Sequence, residues 1–408
     1  MKENTSISDK LADFKLAGLR ACAVAQAPLT TSGLVRGAAW LHTKRKQIKQ
    51  FFKQKFARPR TVLDPARLNV LVHIRGGIGD VAMTRVFIQK LRQTLPKAHI
   101  SFSYDSKLVV DTIFPEGLID SFEPTGYRPS AYDVVLSGCH LLMYDYFNRP
   151  RLEQLAPHFL PILEQGISVQ NCFKAFAHYS PHLDGQLAEI SISCGGSRIT
   201  NLGWFSGLEV HQNDLALLPL PEEKTREILH RFHLTPCTYI TIHDGINSNT
   251  DTSCGYPTRC WPVGHWNDFC KLIKQQFPQF TLVQLGGPKS TPFPFVDVSL
   301  VGKTTITDLP YILDNARLHI DGESGLVHLA HLTRVRSIVL FGPSKAAYLG
   351  YARNVNITAP GCSGCMNIRP DWMTQCIFDK AHEQQCLAQI TPQAVAFEVA
   401  KLLTATKN

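Results

Sequence analysis

Leu68-Asn-Val-Leu-Val-His-Ile-Arg-Gly-Gly-Ile-Gly-Asp80 is the stretch whose reading decides the fold. Its first seven residues form an almost continuous apolar run, as expected of a strand buried on both faces of a parallel sheet. Glycines at 76, 77 and 79 then let the backbone turn tightly and approach a ligand. Val81 to Leu95 reads as a helix, with Val81, Thr84, Ile88 and Leu91 near one face and Pro96 closing it. His99–Tyr104 and Ala131–Leu136 read as further strands. Strand, glycine turn, helix, strand is the right-handed parallel unit of a doubly wound α/β domain.

The pattern returns further along the chain. Tyr239–His243 reads as a strand, Trp266–Gln276 as a helix and Thr281–Leu285 as a strand ending at Gly286-Gly287-Pro288. Leu318–Ile320, the helix Gly325–Leu332 and the strand Arg336–Phe341 ending at Gly342-Pro343 follow. The stretch between about 140 and 215 is less regular, and its elements are not ordered by pattern alone. A chain of 408 residues is too long for one ordinary core and fits two domains. We divide it into a helical N-terminal extension over 1–60, a Rossmann-like domain over 61–215 and a second over 216–408. Two such halves imply a cleft between them where a ligand sits.

Apolar residues at 44% and charged residues at 18% exclude a disordered or fibrous chain. The formal charge of +9 is local, because Arg36–Arg60 holds nine Lys or Arg and no Asp or Glu. Within it Ile48, Phe51, Phe52 and Phe56 fall on one helical face with Lys46, Lys49 and Lys53 around it. Three readings stay open for this basic helix: contact with an anionic membrane surface through 36–60, packing on the enzyme body, and oligomerisation. No run of about 18 apolar residues occurs, and lysines and arginines interrupt the N-terminus, so the expectation is a cytoplasmic protein, peripheral at the inner membrane if residues 36–60 bind it.

Two motifs carry chemistry. Gly77, Gly79 and Asp80 do not have the dinucleotide-binding spacing, and a carboxylate at the mouth of the helix would repel a pyrophosphate bound there. Asp80 is better suited to accept a proton from an attacking hydroxyl; the alternative is an N-cap for the helix. The second motif is Asp321-Gly-Glu-Ser-Gly-Leu-Val-His328. Ser324 and Gly325 at a helix start can present a hydroxyl and amides to phosphate, and Glu323 can hold a ribose hydroxyl. His328, one turn in, is either an anion contact or a packed core histidine.

The Gly-Gly-Ile-Gly-Asp80 turn, Arg259-Cys-Trp261-Pro262 before a helix with Trp266, the Gly-Glu-Ser-Gly-Leu-Val-His-Leu-Ala run and Leu340-Phe-Gly-Pro343 resemble, in this order, the heptosyltransferase family, glycosyltransferase family 9. The resemblance spans about 70 to 408. It implies a GT-B fold, an inverting transfer needing no metal for chemistry, a nucleotide-sugar donor, with ADP-heptose expected, and a hydroxyl acceptor in lipopolysaccharide or a related glycan. It also implies roles: Asp80 as general base, Arg259 neutralising the leaving diphosphate where the family usually has lysine, and Ser324, Gly325 and His328 at the donor phosphate. Glu323 stands where the family often has Asp, and Gly77, Gly79, His243, Asp244 and Gly245 are expected at the donor.

Cys362, Cys365, Cys376 and Cys386 form a Cys-x-x-Cys knuckle plus two later thiols. That donor set suits a tetrahedral structural iron or zinc, with free thiols or a disulfide as alternatives. The run through Trp372 also looks like the family branch that transfers heptose to autotransporter proteins and holds iron on four cysteines. A protein side chain is therefore the second acceptor reading. A nicotinamide oxidoreductase lacks its glycine fingerprint. A non-enzymatic nucleic-acid or membrane-surface binder leaves the motifs at 80, 259 and 321–328 unexplained, so no nucleic-acid partner is expected.

Overall fold

The computed structural model describes residues 10–13, 15–17, 19, 63–115, 117–173, 182–211, 213–214, 216–246, 257–368, 372–378 and 385–404. The basic stretch 36–60 and its amphipathic helix lie outside the described residues. Of the N-terminal extension, residues 10–13, 15–17 and 19 are helical. Among the described residues, no helix is long and apolar enough to cross a membrane.

The chain forms two compact α/β units. In the first, five strands lie in the order β3-β2-β1-β4-β5. They are β1 (Asn69–Ile74), β2 (His99–Ser103), β3 (Ser121–Glu123), β4 (Val134–Gly138) and β5 (Leu142–Phe147). All neighbours are parallel except β4 and β5, which pair antiparallel through a register shift between Val135 and Leu136. Every residue of β1 is buried, as the unbroken apolar run predicts for a central parallel strand. The strand read at Ala131–Leu136 is shifted, because Pro129–Ala131 forms a 3-10 turn and extended pairing begins only at Val134. The irregular stretch after 140 is the antiparallel edge strand followed by helices at Arg149–Leu155, Leu160–Cys172, His182–Ser193 and Arg198–Ser206.

After β1, Gly76 takes φ 123°, a region closed to residues with a Cβ. Helix α1 then runs Ile78–Thr94 and starts three residues before the apolar pattern does. Asp80 is therefore its third residue and not its N-cap. Its Oδ2 reaches back to accept the Gly77 N–H at 2.8 Å, half of a capping box that satisfies a donor left free at the helix start.

The second unit comprises Gly77–Met83, Pro181–Ile192 and Gln212–Asn408. Its sheet has the order β11-β10-β9-β6-β7-β8 and is parallel throughout. The strands are β6 (Tyr239–His243), β7 (Thr281–Leu285), β8 (Val298–Ser299), β9 (Leu318–Gly322), β10 (Ser337–Phe341) and β11 (Val355–Thr358). Helices α2 (Val263–Gln276), α3 (Gly325–His331) and α4 (Pro392–Thr404) belong to the same unit. Trp261 anchors its core: it is fully buried, meets Trp266 edge-on at 4.9 Å and donates its indole N–H to the Ile390 carbonyl at 2.8 Å. Ile240, Ile242, Leu282, Ile320, Ile338 and Leu340 complete this core from the strands. Fully burying each such side chain contributes about 1.5–3 kcal/mol. Both units follow from the pattern read in the sequence, an apolar strand, a tight turn and a helix, repeated twice.

Candidate functional site

Parallel pairing of β6 with β9 sets the geometry of the site. The register matches His243 with Asp321, so the two last side chains of adjacent strands leave the sheet on the same face. His243 Nδ1 lies 3.0 Å from both oxygens of Asp321. Burial alone would pull the His243 pKa down; the charge and hydrogen bond of Asp321, with Asp244 nearby, override it and raise it to about 9. The imidazole is therefore held as a cation at neutral pH. Burial pushes Asp321 the other way, yet His243 and His319 keep its carboxyl below the usual range. Asp321 also accepts the Ser324 hydroxyl at 2.6 Å, and that hydroxyl in turn accepts the Leu326 N–H at 3.1 Å as the N-cap of α3. One buried carboxylate thus ties the end of β6 to the start of α3.

Glu323, two residues on, is the hub of a second network. Its Oε1 faces His328 Nε2 at 3.2 Å, and its Oε2 accepts the Ser344 hydroxyl at 2.6 Å. Arg259 Nη1 approaches Oε2 at 3.9 Å. Burial would raise the Glu323 pKa, but the positive charge of Arg259 and the bonds from His328 and Ser344 bring it down to about 2. His328 also meets the Tyr351 hydroxyl through Nδ1 at 2.7 Å, so both ring nitrogens are engaged inside the protein. Arg259 is different. Its side chain is 20% exposed, and among the described residues its guanidinium has only the long pair with Glu323 and the face of Trp372, 5.8 Å from the ring centroid. Most of its five N–H donors are left for a ligand.

The two sequence motifs meet in this unit. A Cβ on Gly79 would lie 2.6 Å from the His328 ring and 3.1 Å from the Gly325 Cα. Only glycine allows the turn that carries Asp80 to pack so closely on the Glu-Ser-Gly turn. Gly79 is thus placed beside Gly325 by shape, whereas Gly77 meets only the Asp80 carboxylate, which accepts its N–H. Asp244 is fully buried and holds the turn after β7, accepting Ile246 N–H, Ser290 hydroxyl and Thr291 N–H, each at 3.0 Å. Gly245 follows at φ 80°. Ser324 and His328 are buried with their polar atoms occupied, whereas Gly325, Leu326 and Arg259 remain partly open to solvent.

Asp321, Ser344 and Tyr351 join the site without having been assigned to it from the sequence. Asp321 stands in the Asp-Gly-Glu-Ser-Gly run, but its role depends on a register that no local pattern encodes. Ser344 follows the Gly-Pro that ends β10, and this position was the only sequence signal for it.

The four cysteines lie along a segment joined to the end of β10. Gly364 N–H donates to the Gly342 carbonyl at 3.0 Å and Met366 N–H to the Pro343 carbonyl at 2.8 Å. Burial raises the pKa of Cys362, Cys365 and Cys386, the last to about 12, and each of the three also feels the charge of one or two of the other cluster thiols. Among the described residues, no three of these sulfurs lie within 4.8 Å of one another. The donor set suits a thiophilic metal, while the spacing is looser than the roughly 2.3 Å metal–sulfur bonds of a closed tetrahedral site require.

Residues 249–382 match the model of glycosyltransferase family 9 (heptosyltransferase), which takes in three of the four motifs and leaves the glycine turn before Asp80 outside. Several solved structures share the fold. E. coli ADP-heptose LPS heptosyltransferase II is 14% identical with a TM-score of 0.53, over 84% of this chain and 100% of that one. The iron-containing dodecameric glycosyltransferase TibC from enterotoxigenic E. coli H10407 is 15% identical with a TM-score of 0.54, over 84% of this chain and 82% of that one. The complex of TibC with ADP-D-beta-D-heptose gives 15% and 0.53, over 83% of this chain and 78% of that one. No curated protein matches the chain. The fold is that of the GT-B-type heptosyltransferases, and with the family match over residues 249–382 the chain is a glycosyltransferase. Within that class, residues 249–382 are similar to glycosyltransferase family 9, the family that the sequence motifs resemble.

Proposed function

We propose that the protein transfers heptose from ADP-heptose to an acceptor hydroxyl with inversion, in the assembly of lipopolysaccharide or a related glycan. The observation that carries this reading is the packing of Gly79 on Gly325 and His328, which brings the Asp80 turn and the Glu-Ser-Gly turn into one unit. In an inverting displacement the hydroxyl attacks the anomeric carbon as the diphosphate departs from the opposite side. Asp80 takes the proton from the attacking hydroxyl. Arg259, with unspent donors and a partly exposed side chain, receives the charge that builds on the departing phosphate, helped by the open backbone at Gly325 and Leu326. Glu323 orients Arg259, and Asp321 orients His243 and Ser324, so these buried side chains shape the donor end without each touching the nucleotide. His243, Asp244 and Gly245 complete that end. No cofactor takes part in the chemistry.

A second acceptor, a protein side chain, is favoured by the cysteine segment. The neighbour TibC is described as iron-containing. In this reading Cys362, Cys365, Cys376 and Cys386 draw together around one iron or zinc ion that is structural and takes no part in the transfer. The protein works in the cytoplasm, and for residues 36–60 the readings as an anionic-membrane contact, a segment packed on the enzyme body and an oligomerisation element all stay open.

Thermal unfolding with ADP, GDP and UDP tests the donor. A ligand bound only by the folded state at about 100 times its Kd adds roughly 2.7 kcal/mol of stability. ADP alone is expected to raise the Tm. A shift with GDP or UDP and none with ADP would overturn the assignment.

A further inference from the structure

We infer that Trp372, in the middle of the cysteine segment, is a positioning residue that aims Arg259 at the departing diphosphate. This inference rests on the proposed role of Arg259. Thr258, next to that arginine, is bonded to the segment twice: its N–H donates to the Met373 carbonyl at 3.1 Å, and its hydroxyl donates to the Trp372 carbonyl at 2.6 Å. These bonds join residues 114 and 115 positions apart and fix Trp372 beside Arg259. Thr258 and Trp372 are both buried, so the bond between them is not diluted by water. The guanidinium lies over the indole at 5.8 Å from its centroid, within reach of a cation–π contact. Its ion-pair partner, Glu323, is 3.9 Å away and already holds Ser344 and His328.

The geometry divides the work between the two contacts. Glu323 supplies the opposite charge from one side, while the indole face supplies a surface that orients the planar guanidinium without consuming its N–H donors. A carboxylate bonded directly to the guanidinium would fix it equally well but would occupy the donors that the phosphate needs. The indole therefore restricts the arginine and leaves it free to bind. This gives the cysteine segment a task in the reaction besides any structural one: Cys365 and Cys376 bracket the stretch that presents Trp372, and the knuckle is hung from the carbonyls of Gly342 and Pro343 at the end of β10.

Calorimetry with ADP and AMP tests the inference on the full chain. The variants are Trp372→Leu, which keeps apolar volume, Trp372→Phe, which keeps an aromatic face, and Arg259→Ala; circular dichroism establishes that each is folded. Trp372→Leu is expected to weaken ADP about three- to tenfold, the range a partly desolvated cation–π contact supports, and AMP less than about twofold. Trp372→Phe should restore most of the ADP affinity. In the Arg259→Ala background, Trp372→Leu should have no further effect on ADP. Unchanged ADP binding in Trp372→Leu overturns the inference, as does equal weakening of ADP and AMP or full additivity with Arg259→Ala. If Trp372→Leu does not fold, Trp372→Met, which also lacks the aromatic face, takes its place with the same expected and overturning results. Wild-type ADP affinity in Arg259→Ala alone would instead remove the arginine from the donor site.

Discussion

His243 and Asp321, 78 residues apart in the chain, face each other as register partners at the ends of adjacent parallel strands, with Nδ1 at 3.0 Å from both carboxylate oxygens. The pair is buried, and Asp321 also holds the Ser324 hydroxyl that caps α3. Removing one partner of such a pair leaves the other charge uncompensated in a dry environment. Asp321→Ala is therefore expected to destabilise the protein by about 3–5 kcal/mol, with Asp321→Asn at the low end because it keeps a polar partner. Urea unfolding measures the difference. A loss below about 1 kcal/mol in Asp321→Ala would mean that the pair does not organise the end of the sheet.

The same pair makes stability depend on pH in a definite direction. The folded-state pKa of His243 is raised from 6.5 to about 9. Its contribution is thus complete below pH 6.5 and is lost as the pH rises towards about 9. Between those limits the wild type should lose up to roughly 3 kcal/mol that His243→Gln does not lose. Chemical denaturation at several pH values measures both slopes, and parallel slopes would contradict the assignment.

How far the sequence carried this picture depends on what each element needs. β1, β6 and β7 were legible because buried parallel strands are continuous apolar runs, and Gly76 because its φ of 123° tolerates no Cβ. Helix α1 began earlier than its apolar spacing indicated, since Ile78 and Gly79 enter it directly from the turn, and this moved Asp80 from the helix mouth into the first turn. The antiparallel β5 was not legible: it is an edge strand, half-buried or exposed after Leu142, that bulges at Asp145, the extra residue between the partners of Val135 and Leu136, and it shows no unbroken apolar run. At the site, Arg259 and Glu323 were visible within motifs. The pairing of Asp321 with His243 was not, because it arises from strand register and from two carboxylate oxygens meeting one ring nitrogen across the sheet.

Arg259 is expected to act mainly on the departing group. Arg259→Ala should lower transfer by about 10²–10³, the scale of losing one preorganised charge partner of a developing anion. Arg259→Lys should retain part of the activity, because a point charge still serves the phosphate although the planar fork stacked on Trp372 is lost. Steady-state kinetics with ADP-heptose separates the two. Equal loss in both variants would show that the planar fork and not charge alone serves the phosphate, and no loss in either would exclude the residue from the reaction.

For the cysteines, metal analysis of the purified protein is expected to give about one equivalent of iron or zinc, as a four-thiolate site holds one ion. Cys362→Ser should lose it while transfer falls less than it does in Arg259→Ala. Metal content unaffected by the substitution would show that these thiols do not form the site.

In the proposed reaction Asp80 accepts the acceptor's proton while the diphosphate leaves towards Arg259. Incubation of wild type and Asp80→Asn with ADP-[14C]heptose and cell-envelope acceptor material, with ADP affinity measured on both proteins, tests it directly. Loss of a general base lowers the rate by about 10²–10⁴, so label transfer should fall by that factor in Asp80→Asn while the Kd for ADP stays within about twofold. Equal label transfer by the two proteins would contradict the claim.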